Sequence, residues 1–184
     1  MNAKRIGIVV GSLRKGSYSK AVARHIGSAL AAGGLEVTTV EIGDLPLYNE
    51  DLETDSPPEA WTRFRAEMAA TDAVLFVTPE YNRSIPAAIK NAIDVGSRPY
   101  GKNIWGDKPG AVASVTPGGT GAMGSNFALR QALIFVDVHL MSQPEAYVAN
   151  IAGSVNEAGE VEDERTVKFL NGYAQAFAAW VNRF

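Results

Sequence analysis

Residues 11–20 read GSLRKGSYSK; they follow the apolar run IGIVV at residues 6–10 and precede a helical pattern that begins at Ala21. Strand, small-residue loop and helix, in that order, set backbone N–H groups and a positive helix end against an anion. Ser12, Ser17 and Ser19 add hydroxyl donors, and Arg14 and Lys15 add charge. A guanidinium can grip a phosphate through two parallel N–H bonds. The spelling narrows the ligand. A Walker loop needs Gly-Lys-Ser/Thr after four residues, whereas Gly16 is followed by Ser17-Tyr18, which argues against a nucleoside triphosphate. Position 13 is Leu, so the dinucleotide fingerprint is absent as well. What remains is a loop suited to the terminal phosphate of one mononucleotide. The plainer alternative is a βα turn whose serines cap the helix.

Working outward, residues 4–10 read as a strand apolar on both faces, as in a parallel sheet. A helix over 20–32 follows and ends at Gly33-Gly34, since glycine tolerates the left-handed C-terminal conformation. Residues 35–41, with VTTV, form a second strand. A long connection, 42–58, leads to a helix over 58–70 with Trp61, Phe64 and Met68 on one side. Loops of this length without structure are often functional. AVLFVT at 73–78 is the third strand. After PEYNRS at 79–84, Pro86 opens a helix over 86–95, because proline suits a first helical turn. A second long loop, 96–109, carries Arg98, Tyr100 and Trp105. Residues 110–115 form the fourth strand, 116–124 a glycine-rich loop, and 125–136 a helix. That helix carries Phe127, Leu129, Leu133, Phe135 and Val136 around more than one face, so a partner subunit is expected to cover its second side. A fifth strand region runs over 138–141 and continues toward 147–149. A polar loop at 150–160 leads to a closing helix at 162–183, whose stripe Val167, Leu170, Tyr173, Phe177, Trp180 and Val181 reads as core.

Five strands alternating with five helices predict an α/β fold: an open five-stranded parallel sheet covered by helices on both faces, with right-handed crossovers. The strand order expected is 2-1-3-4-5. The order then reverses between the first and third strands, and ligands bind there at the carboxyl ends. That rule, which uses position alone, selects loops 11–19 and 79–84, with 116–121 beside them.

Composition removes other classes. The chain has 184 residues, which suits one domain over 1–184, and a net charge of −3 with no basic cluster, so nucleic acid is not an expected partner. No apolar run is long enough to span a bilayer, and the first residues read as a strand rather than a signal peptide. Cysteine is absent, which removes thiolate catalysis and Cys-based metal sites and accords with a cytoplasmic location. Neither His25 nor His139 has a partner at metal-ligand spacing, and His25 reads as a packed or edge residue, so no metal is expected. The candidate crevice holds no Ser-His-Asp set, no nucleophile elbow and no paired carboxylates with histidine. It offers backbone N–H groups from Glu80, Tyr81, Asn82 and Arg83, an aromatic ring, an amide, and glycines that let backbone approach a flat ligand. A phosphate at one end and a planar polar heterocycle at the other give the outline of FMN. The cofactor would carry the chemistry while the protein supplies position and electrostatics.

The strings GSLRKGSYSK, IGDLPLYNEDLE, TPEYNRSIPAAIKNAID and SVTPGGTGAMGS resemble the NAD(P)H-dependent FMN reductase family, in particular its chromate- and quinone-reducing branch. The resemblance is weakest after Asn150. It implies a flavodoxin-like fold, FMN near a subunit interface, and homodimers that pair into homotetramers. It further implies that Ser12, Arg14, Ser17, Tyr18 and Ser19 hold the FMN phosphate. Pro79, Glu80, Tyr81, Asn82 and Arg83 would line the isoalloxazine, mostly through backbone, with Ser114, Pro117, Gly118 and Gly119 on its other side. Arg98 matches an arginine near the nicotinamide nucleotide or an anionic acceptor, and Arg130 and Glu145 match positions used between subunits. Arg83 departs from related sequences, which carry an aromatic or other residue at this place. The expected reaction passes hydride from NAD(P)H through bound FMN to quinones and other acceptors such as chromate, in ping-pong order. The competing reading is a flavodoxin-type electron carrier, although the surface is not strongly acidic and the phosphate loop is not rich in threonine. A phospho-receiver would need acidic residues where Gly11-Ser12 and Thr78-Pro79 stand.

Overall fold

The computed structural model describes residues 3–184. Strand β1 (Arg5–Val10) lies inside a parallel sheet, with β2 (Glu36–Val40) on one side and β3 (Ala73–Thr78) on the other. Strand β4 (Pro109–Val115) follows β3, and with β5 at His139–Leu140 the order is β2-β1-β3-β4-β5, as the alternation of elements predicts. The fifth position differs in detail. Two short strands share the outer edge of β4: β5 (His139–Leu140) pairs with Pro109 and Gly110, and β6 (Ala146–Val148) pairs with residues 113–115. Pro144 stands between them, and a proline has no N–H to give to the ladder.

Side chains alternate across β1. Ile6, Ile8 and Val10 pack with α1 (Tyr18–Ala32) and α5 (Glu164–Val181), whereas Val9 faces α2 (Glu59–Ala69), α3 (Ala87–Gly96) and α4 (Met123–Phe135). The α5 stripe is core as expected, with Leu170, Tyr173, Phe177 and Val181 buried. Helix α1 begins at Tyr18, two residues before the expected start at 20, because Ser17 caps it by accepting the Lys20 N–H at 3.3 Å. At its other end the left-handed residue is Gly34, at φ +88°.

Both long loops are pinned to the core. Asn91 on α3 donates to the carbonyls of Leu45 and Pro46 and accepts from the Tyr48 N–H, while the Trp61 indole also donates to Pro46 O. Trp105, from the loop between α3 and β4, is wholly buried between Phe64 and Phe76, and its Nε1 donates to Ile93 O at 3.0 Å. One apolar surface has no cover. The outer side of α4 exposes Phe127, Ile134 and Phe135, the last at 90 %.

Candidate functional site

The three loops singled out by strand order meet at the carboxyl edge of β1, β3 and β4. A crevice of about 130 Å³ there is lined by Ser12, Arg14, Ser17, Tyr18 and Ser19, by Pro79, Glu80 and Tyr81, and by Val115, Thr116 and Pro117. Ser12, Ser17 and Ser19 are buried residues. Arg14 enters none of the ion pairs formed among the described residues. The first turn of α1 carries no acidic side chain, so the helix itself sets no carboxylate against an anion at its start. A phosphate fits this wall. The capping reading of the serines and the anion reading are compatible, because Ser17 accepts from the Lys20 N–H and keeps its own hydroxyl proton to donate.

Beyond Pro117 the loop after β4 leaves open space. A Cβ added at Gly118 would meet only Thr116 Oγ1, at 3.6 Å, and one added at Gly119 would meet nothing within 4 Å. Thr116 Oγ1 accepts the Gly118 N–H and gives this loop its shape. The loop is latched from beneath: Asn150 N donates to Gly118 O, and Thr116 N to Val148 O. Gly121, at φ +64°, admits no side chain, because a Cβ would stand 2.6 Å from Tyr147 Cβ and 2.9 Å from its carbonyl. Sequence reading missed this position, since its constraint comes from a strand 26 residues later in the chain.

The resemblance sets Ser114 beside the flavin, and in the fold its side chain is turned into the core. It is completely buried, and its hydroxyl donates to Gly121 O at 2.7 Å while accepting from Asn126 Nδ2 at 3.2 Å. Its side chain therefore braces the loop and does not face the crevice. Arg130 extends the same network through Nε to Asn126 Oδ1 and Nη1 to Met141 O, leaving Nη2 buried without a partner. Glu145 accepts from the Tyr147 hydroxyl at 2.7 Å. Burial and that carboxylate push the Tyr147 phenol up to about 12.

The loop after β3 is a rigid bracket. Tyr81 and Ser84 exchange both backbone hydrogen bonds at 3.0 Å, which makes Asn82 and Arg83 the centre of a two-residue turn, at φ 51° and 65°. Left-handed backbone costs a residue with a Cβ roughly 1–2 kcal/mol. Glu80 lines the crevice and turns one carboxylate oxygen to helix α4. Its Oε2 accepts the Ser125 N–H at 3.1 Å in the first turn of α4, and Ser125 Oγ donates to Pro79 O at 2.8 Å. Gly124 is tight for the same reason: a Cβ there would lie 3.0 Å from both Arg83 O and Glu80 Oε2. Ser125 and Gly124 are functional supports that the sequence pattern did not flag, because a helix start at residue 125 placed them at a boundary.

Asn82, Arg83, Gly118 and Gly119 continue the loops beyond the crevice lining, and Arg98 is the expected site residue that the fold carries farthest from it. Helix α3 starts beside Gly11, where Ile89 would touch an added Cβ at 3.4 Å. Its 10 residues then lead away for about 15 Å, and Arg98 lies beyond the far end. There it lines a groove of about 970 Å³ between α3 and α4, with Lys90, Asp94, Ile134 and Phe135. Among the described residues no group of three or more His, Cys, Asp or Glu side chains could hold a metal ion. No helix among them is long and apolar enough to cross a membrane.

Comparison with known proteins agrees with this geometry. The family model for NADPH-dependent FMN reductases matches residues 4–153. A quinone reductase of Pseudomonas putida is 54% identical over 176 residues, covering 96% of this chain and 94% of the relative. A 2-hydroxy-1,4-benzoquinone reductase of a Burkholderia species is 40% identical, covering 97% of each. The structure of FerB, a flavoenzyme NAD(P)H:(acceptor) oxidoreductase of Paracoccus denitrificans, superposes with a TM-score of 0.89 at 44% identity over 98% of both chains. The phosphate-ready crevice, the parallel sheet that builds it and the match over most of the sequence lead to one conclusion: this chain belongs to the NADPH-dependent FMN reductase family.

Proposed function

We propose that residues 1–184 act as one FMN-binding domain and that the protein is an FMN-dependent NAD(P)H:quinone oxidoreductase. The observation that carries this is the single crevice in which Ser12, Arg14, Ser17, Tyr18 and Ser19 meet Pro79, Glu80, Tyr81 and Pro117. The overall reaction converts NAD(P)H, a proton and a quinone into NAD(P)+ and a hydroquinone. Hydride leaves the nicotinamide with two electrons, and the quinone takes those electrons and two protons, one of them from solvent. Bound FMN supplies the relay for that electron pair. The chain's own residues bind and orient. Hydroxyls of Ser12, Ser17 and Ser19, the Arg14 guanidinium and the α1 N-terminus would hold the phosphate. Backbone N–H groups of Glu80, Asn82 and Arg83 would meet the polar edge of the ring, the Tyr81 N–H being held by Ser84 O, and their fixed turn keeps them preorganised. Gly118 and Gly119 leave space for its other side. Donor and acceptor share one open face in turn, which predicts ping-pong kinetics and parallel double-reciprocal lines. The same face would serve oxyanion acceptors such as chromate, and the need for NAD(P)H supports a cytoplasmic location.

The visible spectrum of the purified protein tests this reading directly. The expected result is a bound chromophore identified as FMN, bleached under anaerobic conditions by NADPH or NADH and restored by benzoquinone. A colourless protein that fails to take up added FMN would sink it. FMN that neither nucleotide bleaches would instead indicate an electron carrier.

The proposal includes a homodimer, able to pair into a tetramer, that forms over the α3–α4 groove. Exposed Ile134 and Phe135 support it, since such a patch marks an interaction surface. A two-fold axis crossing these helices reverses α3 of one subunit against the other. Such an arrangement would bring a second copy's Arg98 toward this crevice. Phe135→Glu is expected to shift the protein to a monomer in sedimentation equilibrium. A wild-type monomer would remove both the interface and the role of Arg98.

A further inference from the structure

The turn at residues 81–84 holds a strain that its own contacts do not offset. Asparagine suits the first central position of such a turn, and glycine suits the second. Here the second is Arg83, at φ 65°. Its guanidinium recovers little within the chain. The side chain is 80% exposed, and its Nη1 lies 3.6 Å from Glu80 Oε1, too far for a hydrogen bond. Glu80 is committed elsewhere, through Oε2 to the Ser125 N–H. The turn itself cannot drift, because Pro79 O is held by Ser125 Oγ and Arg83 O packs against Gly124. A cation on a braced base therefore stands beside Glu80, which lines the crevice together with Pro79 and Tyr81. Strain retained at such a place points to a functional contact.

We propose that Arg83 is a specificity-determining residue that selects acceptors bearing an anionic oxygen, such as quinones with an ionised ring hydroxyl, over neutral quinones. This rests on the quinone reductase reading above. Arg83 belongs to the loop that meets the flat end of the crevice, whereas Arg14 and the α1 start form the phosphate end. A guanidinium fork gives an enolate oxygen and its neighbouring carbonyl two charge-assisted hydrogen bonds. A neutral quinone gains much less from the same cation.

Steady-state kinetics of the wild-type holoenzyme, Arg83→Gly and Arg83→Lys test the assignment, with lawsone, an anion at neutral pH, against menadione, which is neutral. The readout is the ratio of kcat/KM for lawsone to that for menadione. Arg83→Gly is expected to lower the ratio roughly tenfold or more, the scale of one charge-assisted hydrogen bond. Arg83→Lys keeps part of it, because the charge remains and the fork is lost. The thermal midpoint of Arg83→Gly should not fall, since glycine relieves the left-handed backbone. An unchanged ratio overturns the proposal. So does loss of bound FMN, which would make Arg83 a cofactor ligand, or slower bleaching by NADPH with NADH unaffected, which would make it a reader of the nucleotide phosphate. A wild-type protein that reduces neither quinone overturns the quinone reductase reading and this proposal with it, whereas an active wild type with an unchanged ratio in Arg83→Gly overturns this proposal alone.

Discussion

Trp105→Ala is expected to lower the stability of the fold by about 3–5 kcal/mol, the usual cost of emptying a large aromatic site in a core. Trp105 is completely buried, and its ring lies flat on the backbone of α3: a Cβ added at Gly96 would stand 2.5–2.7 Å from three of its ring atoms. Phe64 and Phe76 enclose it at centroid distances of 5.9 and 5.5 Å. Truncation therefore opens a cavity between α2, α3 and the sheet, and it strips Ile93 O of the indole N–H. Domains have only about 5–15 kcal/mol to lose. Urea unfolding should show a lower midpoint at an unchanged slope, which reports lost stability and not a changed denatured state. A loss below about 1 kcal/mol would mean that the site collapses without cost. Trp105→Phe should recover part of the loss by refilling most of the volume.

Arg14→Ala is expected to weaken FMN binding by about 1.5–3 kcal/mol, the scale of hydrogen bonds to a charged group, or roughly 10- to 150-fold in Kd. The side chain is exposed, lines the crevice and carries no ion pair among the described residues. Its removal leaves no buried group unpaired, so the fold should keep its stability while cofactor affinity falls. Titration of the apoprotein with FMN, followed by flavin fluorescence, separates the two effects. Unchanged affinity would take Arg14 out of the site and leave the phosphate to the serines and the helix start. Arg14→Lys should lie between wild type and alanine, because an ammonium keeps the charge without the two-pronged geometry.

The β3 loop and the α3 end show why some of the site was legible in the chain and some was not. The run IGIVV, the loop GSLRKGSYSK and the alternation of strands with helices depend on local periodicity and on which residues tolerate a tight turn. These are short-range properties, so they determined the parallel sheet, its order and the meeting of loops 11–19, 79–84 and 116–121 at one edge. Residue types there also determined a site for an anion and a flat ring without a protein nucleophile. Contacts between distant segments were decided only in three dimensions. Ser114 turned inward because Asn126 and Gly121 O meet it there. Glu80 became the cap of α4 because Ser125 lies beside it. Pro144 split the edge strand, Trp105 left its loop for the core, and Arg98 was carried a helix length from its own crevice. Such outcomes follow from packing and hydrogen-bond satisfaction across tens of residues, and these depend on which groups the assembled sheet brings into contact.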